Sequence, residues 1–377
     1  MDEEGERMRV CVVGGKLQGI EALYLSKKAG FESVLIDRSS DVPGKSLADE
    51  FVCMDALKAS DTIRSCDVVV PAFEDLQGLI NLSHLCEQMG VPMLFDEKSY
   101  RISSSKIESN KFFDTIEVPT PKWIFNTKQK NSLKFPVILK PSEGSGSEDV
   151  VVAHTPEEFD SLYCNGTIAQ EFVSGPSLSL ELIGDGEEVE GLVVTQLEFD
   201  ENYDCKRVFA PHELPEYTEE LFFEYSIRIG KELGLRGVMD VEAMIRGKKP
   251  EIIEIDARLP SQTPTAVLHC SDVNILEETI TTWIDGKLSF KRPRVKRAVI
   301  YEHVIVGDGG MKSVGEHVLA SARNLQIVDK FHGAEEAIVG EVPEGLIITL
   351  ILVGNDLTKL WKKREQAIDS IINKYVS

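Results

Sequence analysis

The sequence predicts an α/β (α+β) protein, with a parallel-sheet domain first, a middle domain built around an acidic hairpin, and a small α/β domain last. Three stretches carry that prediction. Residues 10–37 run strand, glycine turn, helix, strand, the opening of a parallel sheet. Residues 237–265, GVMDVEAMIRGKKPEIIEIDARLPSQTPT, read as two strands around the turn Arg246-Gly247-Lys248-Lys249. From about Arg292 the composition shifts, and the strand patterns at 298–306 and 346–353 lead into a charged amphipathic helix at 357–375. Boundaries are expected near 1–96, 97–288 and 289–377.

Size and charge narrow the function classes. A chain of 377 residues has room for two or three domains with ample core. A net charge of −22 lacks the basic stripe of a nucleic-acid binder and suits cationic substrates. No apolar run approaches the roughly 20 residues of a membrane helix, and the acidic opening MDEEGERMRV does not read as a signal peptide. The seven cysteines are scattered, without C-x-x-C spacing, so a reducing, cytoplasmic setting is expected and a structural zinc site is not.

In chain order, the apolar run 10–13 ends at Gly14-Gly15-Lys16-Leu17-Gln18-Gly19. A helix follows, with Ile20, Leu23 and Tyr24 on one side, and then the strand 34–36 with Asp37 at its end. This Rossmann-like turn has G-G-x-x-x-G rather than the full dinucleotide fingerprint. Packing a helix on a sheet and holding a nucleotide or anion at the helix start both fit it. Residues 67–71, DVVVP, form the next buried strand, with Glu74 and Asp75 just beyond. Ligands of open parallel sheets sit at that end of the strands, so Glu74 is either a ligand for a substrate ammonium or the acid that opens the next helix. That helix is expected at 78–90 and a short strand at 93–95.

Residues 103–113 are polar, then helical, and carry Lys106. The strand FPVILK ends in Lys140 and enters a Gly/Ser loop containing Ser145, Gly146 and Ser147. Such a loop can close over phosphates with its backbone N–H groups, or can be only the flexible tip of a hairpin. T-P-E-E opens a helix at 155–163, and IAQEFV, ending in Gln170-Glu171-Phe172-Val173, is a strand that could meet an adenine edge. Strand 177–183 places Ser177, Ser179 and Glu181 on one face; strand 192–199, a turn at 200–202 and a helix at 218–233 follow. In the hairpin, Asp240 and Glu242 share a face, as do Glu254 and Asp256. If the apolar faces coincide, four carboxylates crowd together and raise one another's pKa. A hard divalent cation would relieve them, and oxygen ligands suit Mg²⁺. The other reading is a solvated acidic edge. Arg258 and Ser261-Gln262-Thr263 follow directly and could hold an anionic substrate group.

The ordered set Lys106, Lys140 with its Gly/Ser loop, Gln170 to Val173, Asp240, and Glu254-Ile255-Asp256 resembles the ATP-grasp superfamily. In detail GGKLQGIEALYLSKKAG, LADEFVC, RISSSK, DENYDC, GVMDVEA and IEIDARLPSQTPT resemble the ligases of pyrrolysine biosynthesis, which join 3-methyl-D-ornithine to the ε-amine of L-lysine. The resemblance covers most of 10–275 and fades beyond. It implies an ATP-grasp fold and ATP binding by Lys106, Lys140, Ser145, Gly146, Ser147, Gln170, Glu171, Phe172 and Val173. It also implies Mg²⁺ (two ions, with Mn²⁺ an alternative) on Asp240, Glu254 and Asp256. Ser179, Glu181, Asp240, Glu242, Arg258, Ser261, Gln262 and Thr263 would face the ornithine-type substrate, and Lys16, Leu17 and Glu74 the lysine. Gln18, Gly19 and Asp37 would hold a further nucleotide or anion. Gly175-Pro176-Ser177 departs from the family pattern where a glutamate is expected, which leaves the ribose ligand unassigned.

The mechanism so implied is phosphoryl transfer to a carboxylate, then attack by an amine, with Arg258 as the catalytic cation. No side chain declares itself as the base for that amine, and His269 reads as structural. The competing readings are an ATP-grasp ligase for other amino acids, an NAD-dependent oxidoreductase built on the N-terminal turn, and a non-catalytic nucleotide sensor. The C-terminal domain reads as a cover without catalytic groups, with apolar positions that suit a core or a homodimer.

Overall fold

The computed structural model describes residues 7–144, 149–307 and 309–376. Strands Glu50–Cys53, Glu32–Asp37, Arg9–Val13 and Val68–Pro71 lie side by side in that order, all parallel. The chain therefore reverses its winding beside Arg9–Val13, and the crevice at the carboxyl ends of the strands opens there. Helix Leu17–Ala29 starts from that crevice and ends at Gly30 in the left-handed conformation, with Lys27 and Lys28 in its last turn. The strand expected at 93–95 does not form. Met93 makes one bridge to Val69, after which the Phe95 amide folds back onto the Met93 carbonyl (2.8 Å) and ends the pairing.

A second sheet of ten strands carries most of the remaining chain. The hairpin strands Arg236–Arg246 and Lys249–Asp256 form its edge, joined by a two-residue turn in which Gly247 has φ +69°. Ser177–Asp185 and Val189–Phe199 come next, then Cys205–Ala210. Strand Ala298–Gly307 pairs with Cys205–Ala210. The sheet therefore runs without a break from the acidic hairpin into the C-terminal strands, across the composition shift near 292. One apolar core joins Leu23 and Leu25 of the first helix to Leu192, Ile280 and Ile347, so the three parts of the chain share an interior.

A small antiparallel sheet stands apart, in the order Trp123–Ile124, Thr167–Glu171, Val137–Pro141, Val151–Ala153. It has its own core around Phe159, Leu139 and Val137. Helix Lys106–Thr115 is capped by Ser105 and tied to this sheet through the Lys106 amide and the Ser142 carbonyl (2.7 Å). Among the described residues no helix is long and apolar enough to cross a membrane.

Candidate active site

The cleft between the small sheet and the hairpin holds a cavity of about 560 Å³. Lys106, Lys140, Gln170, Glu171, Phe172 and Val173 all line it. Both lysines are buried, and burial lowers the pKa of Lys140, with the Glu254 carboxylate opposing the shift. Gln170 donates to Asn110 (3.0 Å), which fixes its side chain, while the Glu171 carboxylate accepts from the Lys134 amide (3.0 Å). Glu171 therefore offers its backbone rather than its charge to the cavity. Ser145, Gly146 and Ser147 lie outside the described residues. Gly175, Pro176 and Ser177, the stretch that departs from the family pattern, line its wall, and Ser177 Oγ is buried without a hydrogen-bond partner among the described residues. Lys206 and Tyr203 also line the cavity. Tyr203 falls in the segment DENYDC and Lys206 just after it, but neither residue type nor spacing singles them out there.

A smaller cavity of about 140 Å³ lies against the hairpin and shares Glu242 and Glu254 with the first. The hairpin register sets Asp240 opposite Asp256 and Glu242 opposite Glu254. The next strand adds Glu181 opposite Asp240 and Ser179 opposite Glu242. Five carboxylates thus occupy one face of three strands, where directly opposed like charges repel. Burial, reinforced by the neighbouring charges, pushes Glu181 up to about 8, and burial against a stabilising bond from Ser179 pushes Asp240 to about 6. Burial pushes Asp256 to about 7 although Arg258 pulls it down, and raises Glu242 well above the usual range.

The protein's own cations hold part of this charge. Lys106 Nζ meets Glu254 (3.1 Å) and the Gly144 carbonyl (2.6 Å). Arg258 bridges Asp256 (2.8 Å) and Glu74 (2.9 Å). Glu74 also accepts from Gln18 (2.8 Å), while Asp75, not Glu74, caps the helix Leu76–Met89. Glu74 is therefore a member of the site contributed by the parallel sheet. Ser179 Oγ donates to Asp240 (2.6 Å), is fully buried and lines neither cavity, so it orients a carboxylate instead of facing substrate.

Among the described residues no group of three His, Cys, Asp or Glu side chains stands close enough to hold a metal. Glu254 is turned to Lys106, and Asp256 to Arg258. The donors still fit Mg²⁺ in kind, being hard oxygens with unrelieved charge.

Ser261, Gln262 and Thr263 line the smaller cavity. Gln262 has φ +71° and ψ −59°, and the Thr263 amide bonds the Ser261 carbonyl across it (2.8 Å), a strained tight turn at the start of helix Thr263–Ser271. Glu21 of the first helix is buried beneath that helix and accepts from the Thr265 amide (2.6 Å) and hydroxyl (2.7 Å). Burial pushes Glu21 to about 7.

The N-terminal turn is largely committed to the fold. Asp37 accepts from the amides of Gly15 (2.9 Å) and Ser39 (2.8 Å), and a Cβ on Gly19 would lie 2.0 Å from the Gly14 carbonyl. Lys16 and Leu17 stand at the helix start, and Gln18 reaches Glu74. His269 bonds the Tyr24 hydroxyl (2.7 Å), is driven by burial down to about 4, and lines neither cavity. The C-terminal part is more than a cover, because Glu316 lines the smaller cavity with Arg258 and Gln262.

An ATP-grasp domain family matches residues 103–262. The chain is 34% identical over 372 residues to a 3-methyl-D-ornithine–L-lysine ligase of Methanosarcina barkeri, covering 97% of this chain and 98% of that protein. Its fold is similar to the biotin carboxylase domain of Hydrogenobacter thermophilus 2-oxoglutarate carboxylase, solved with MgADP, ADP and bicarbonate (TM-score 0.76, 17% identity, 96% and 89% of the two chains). It is also similar to an L-amino acid ligase from Bacillus licheniformis (TM-score 0.70, 14% identity, 97% and 98%).

Proposed function

We propose that this chain, which belongs to the 3-methyl-D-ornithine–L-lysine ligase family within the ATP-grasp superfamily, joins the carboxylate of 3-methyl-D-ornithine to the ε-amine of L-lysine at the expense of ATP. One observation supports this best. A cavity with buried lysines and a cavity with crowded carboxylates meet at Glu242 and Glu254, so an anionic nucleotide and a cationic diamino acid would touch there.

Lys106, Lys140 and Lys206 face the nucleotide cavity and would neutralise phosphate charge. Arg258, held by Asp256 and Glu74, would orient the substrate carboxylate for the γ-phosphoryl, giving an acyl phosphate and ADP. Asp240, Glu254 and Asp256 would hold Mg²⁺, as a pair of ions, and the metal would supply charge neutralisation to the transferring phosphoryl. With nucleotide and metal present, Glu254 would no longer need Lys106 as its partner. Arg258 and the backbone donors at Ser261 to Thr263 would then stabilise the oxyanion formed as the amine attacks, at about 3 kcal/mol per donor. Glu242 would meet an ammonium group of the ornithine-type substrate, Glu181 would act from behind Asp240 because it is fully buried and lines neither cavity, and Glu74, Lys16 and Leu17 would face the lysine.

The test is mass spectrometry of the product formed from ATP, Mg²⁺ and the two diamino acids. The reading expects one amide per ADP released. A product from other amino-acid pairs alone would leave the fold and remove this substrate assignment.

A further inference from the structure

Amide formation needs a group that takes a proton from the attacking ammonium. On the hairpin Glu254 is paired with Lys106, Asp256 with Arg258 and Asp240 with Ser179, and Glu242 stands where the smaller cavity meets the nucleotide cavity. Glu316 comes from elsewhere, at the start of the short turn Glu316–Ser321 in the C-terminal part. Its backbone is pinned over the smaller cavity. The Gly315 amide donates to Asp200 (3.3 Å) and the His317 amide to Asp204 (3.1 Å), with the His317 ring on the same carboxylate (2.9 Å). Asp204 leaves no space for a Cβ at Gly315, where the nearest oxygen would lie 1.9 Å away. The carboxyl so aimed meets the side chains of Ser261 and Gln262, and its Oε2 is buried without a hydrogen-bond partner among the described residues. Arg258 shares this cavity, and so do the backbone groups at Ser261 to Thr263.

We propose that Glu316 is the proton acceptor for the attacking amine, poised on the cavity wall beside the oxyanion donors. The proposal rests on the ligase reading. The ammonium proton passes to the Glu316 carboxylate, and the freed nitrogen lone pair forms the C–N bond at the acyl carbon. The C–O bond to phosphate breaks, the phosphate keeps its electron pair, and the second nitrogen proton leaves with it as hydrogen phosphate. The charged and titratable groups around Glu316 are Arg258, Asp204, His317, Glu21, Cys205 and Tyr301. Burial outweighs the bonds from Ser261 and Gln262 and raises its affinity for a proton, as a base for an ammonium requires.

Glu316→Gln and Glu316→Asp are compared with the wild-type chain using two nucleophiles. L-lysine arrives protonated, whereas hydroxylamine is already neutral near pH 7 and traps acyl phosphate as hydroxamate without a base. E316Q should lower lysine ligation at least about 100-fold more than hydroxamate formation, the lower end of what general-base catalysis contributes. Its residual ligation should rise with pH beyond the point where the wild-type rate levels off, and E316D should restore part of the ratio. Equal loss with both nucleophiles, or lysine ligation at the wild-type rate, overturns the assignment. Hydroxamate formation also reports that the variant is folded. If the wild-type chain makes no hydroxamate, the acyl-phosphate reading fails instead, which is a separate result.

Discussion

The two cavities handle charge differently. The larger sets Lys106, Lys140 and Lys206 among apolar side chains with carboxylates such as Glu198, Asp200, Glu242 and Glu254 on its walls, and Glu171 is turned outward to the Lys134 amide. The smaller is lined by carboxylates that repel across the hairpin, Asp240, Glu242, Glu254 and Asp256, with Arg258 as a cation among them. In the proposed complex the lysines of the first would be relieved by phosphates, and the carboxylates of the second by metal and ammonium groups. The Lys106–Glu254 pair joins them, so in the free protein the two cavities neutralise each other across the junction where phosphoryl transfer would occur.

Breaking that junction should have the largest effect. Glu254→Gln removes a proposed metal ligand and the partner of Lys106, and substrate-dependent ADP release should fall about 10³-fold, the upper range for losing one preorganised electrostatic group. Near-normal ADP release would detach Glu254 from the phosphoryl site. Arg258→Lys keeps the charge but cannot span Asp256 and Glu74 as a planar fork. Steady-state kinetics should show kcat lowered about 10²-fold. An unchanged kcat would mean that charge alone suffices there.

Much of this arrangement was legible in the sequence, and the exceptions share a cause. The hairpin could be read because its chemistry is local, with alternation fixing the faces and Gly247 fixing the register. Glu74 was ambiguous until Asp75 was seen to cap the helix, which only the local geometry decides. Glu181 was read on the right face, yet its place opposite Asp240 depends on strand pairing across a long loop. Glu316 was invisible, since it reaches the site by tertiary packing from an element with no motif of its own, while Glu21 and Lys206 lie within and just after segments that carry the resemblance but take their places only through that packing. The family resemblance faded toward the C-terminus, where Glu316 lies.

Smaller effects sharpen the contrast. Glu74→Ala should raise KM for the amine substrate about 10-fold, equal to losing about 1.4 kcal/mol, with KM for ATP little changed. Equal changes in both would place Glu74 in the fold rather than at the amine. Glu21 is a control, a buried acid behind the acidic cavity that no ligand relieves. Because its pKa is raised to about 7, the folded chain keeps a proton there that the unfolded chain has already released, so stability falls as pH rises from the usual carboxylate value through about 7. Glu21→Gln should therefore stabilise the fold at about pH 8 by on the order of 2–3 kcal/mol, seen as a higher melting temperature, and have little effect at about pH 4. A pH-independent change in melting temperature would mean that Glu21 acts through packing alone.

The central claim is an activated carboxylate formed where the two cavities meet, and isotope transfer tests it directly. With both carboxylate oxygens of the ornithine-type substrate labelled with ¹⁸O, the reaction with ATP, Mg²⁺ and L-lysine should place one labelled oxygen in the released phosphate and leave the other in the amide. Unlabelled phosphate, or label recovered in AMP, would contradict an acyl phosphate and with it the proposed roles of Arg258, Glu254 and Glu316.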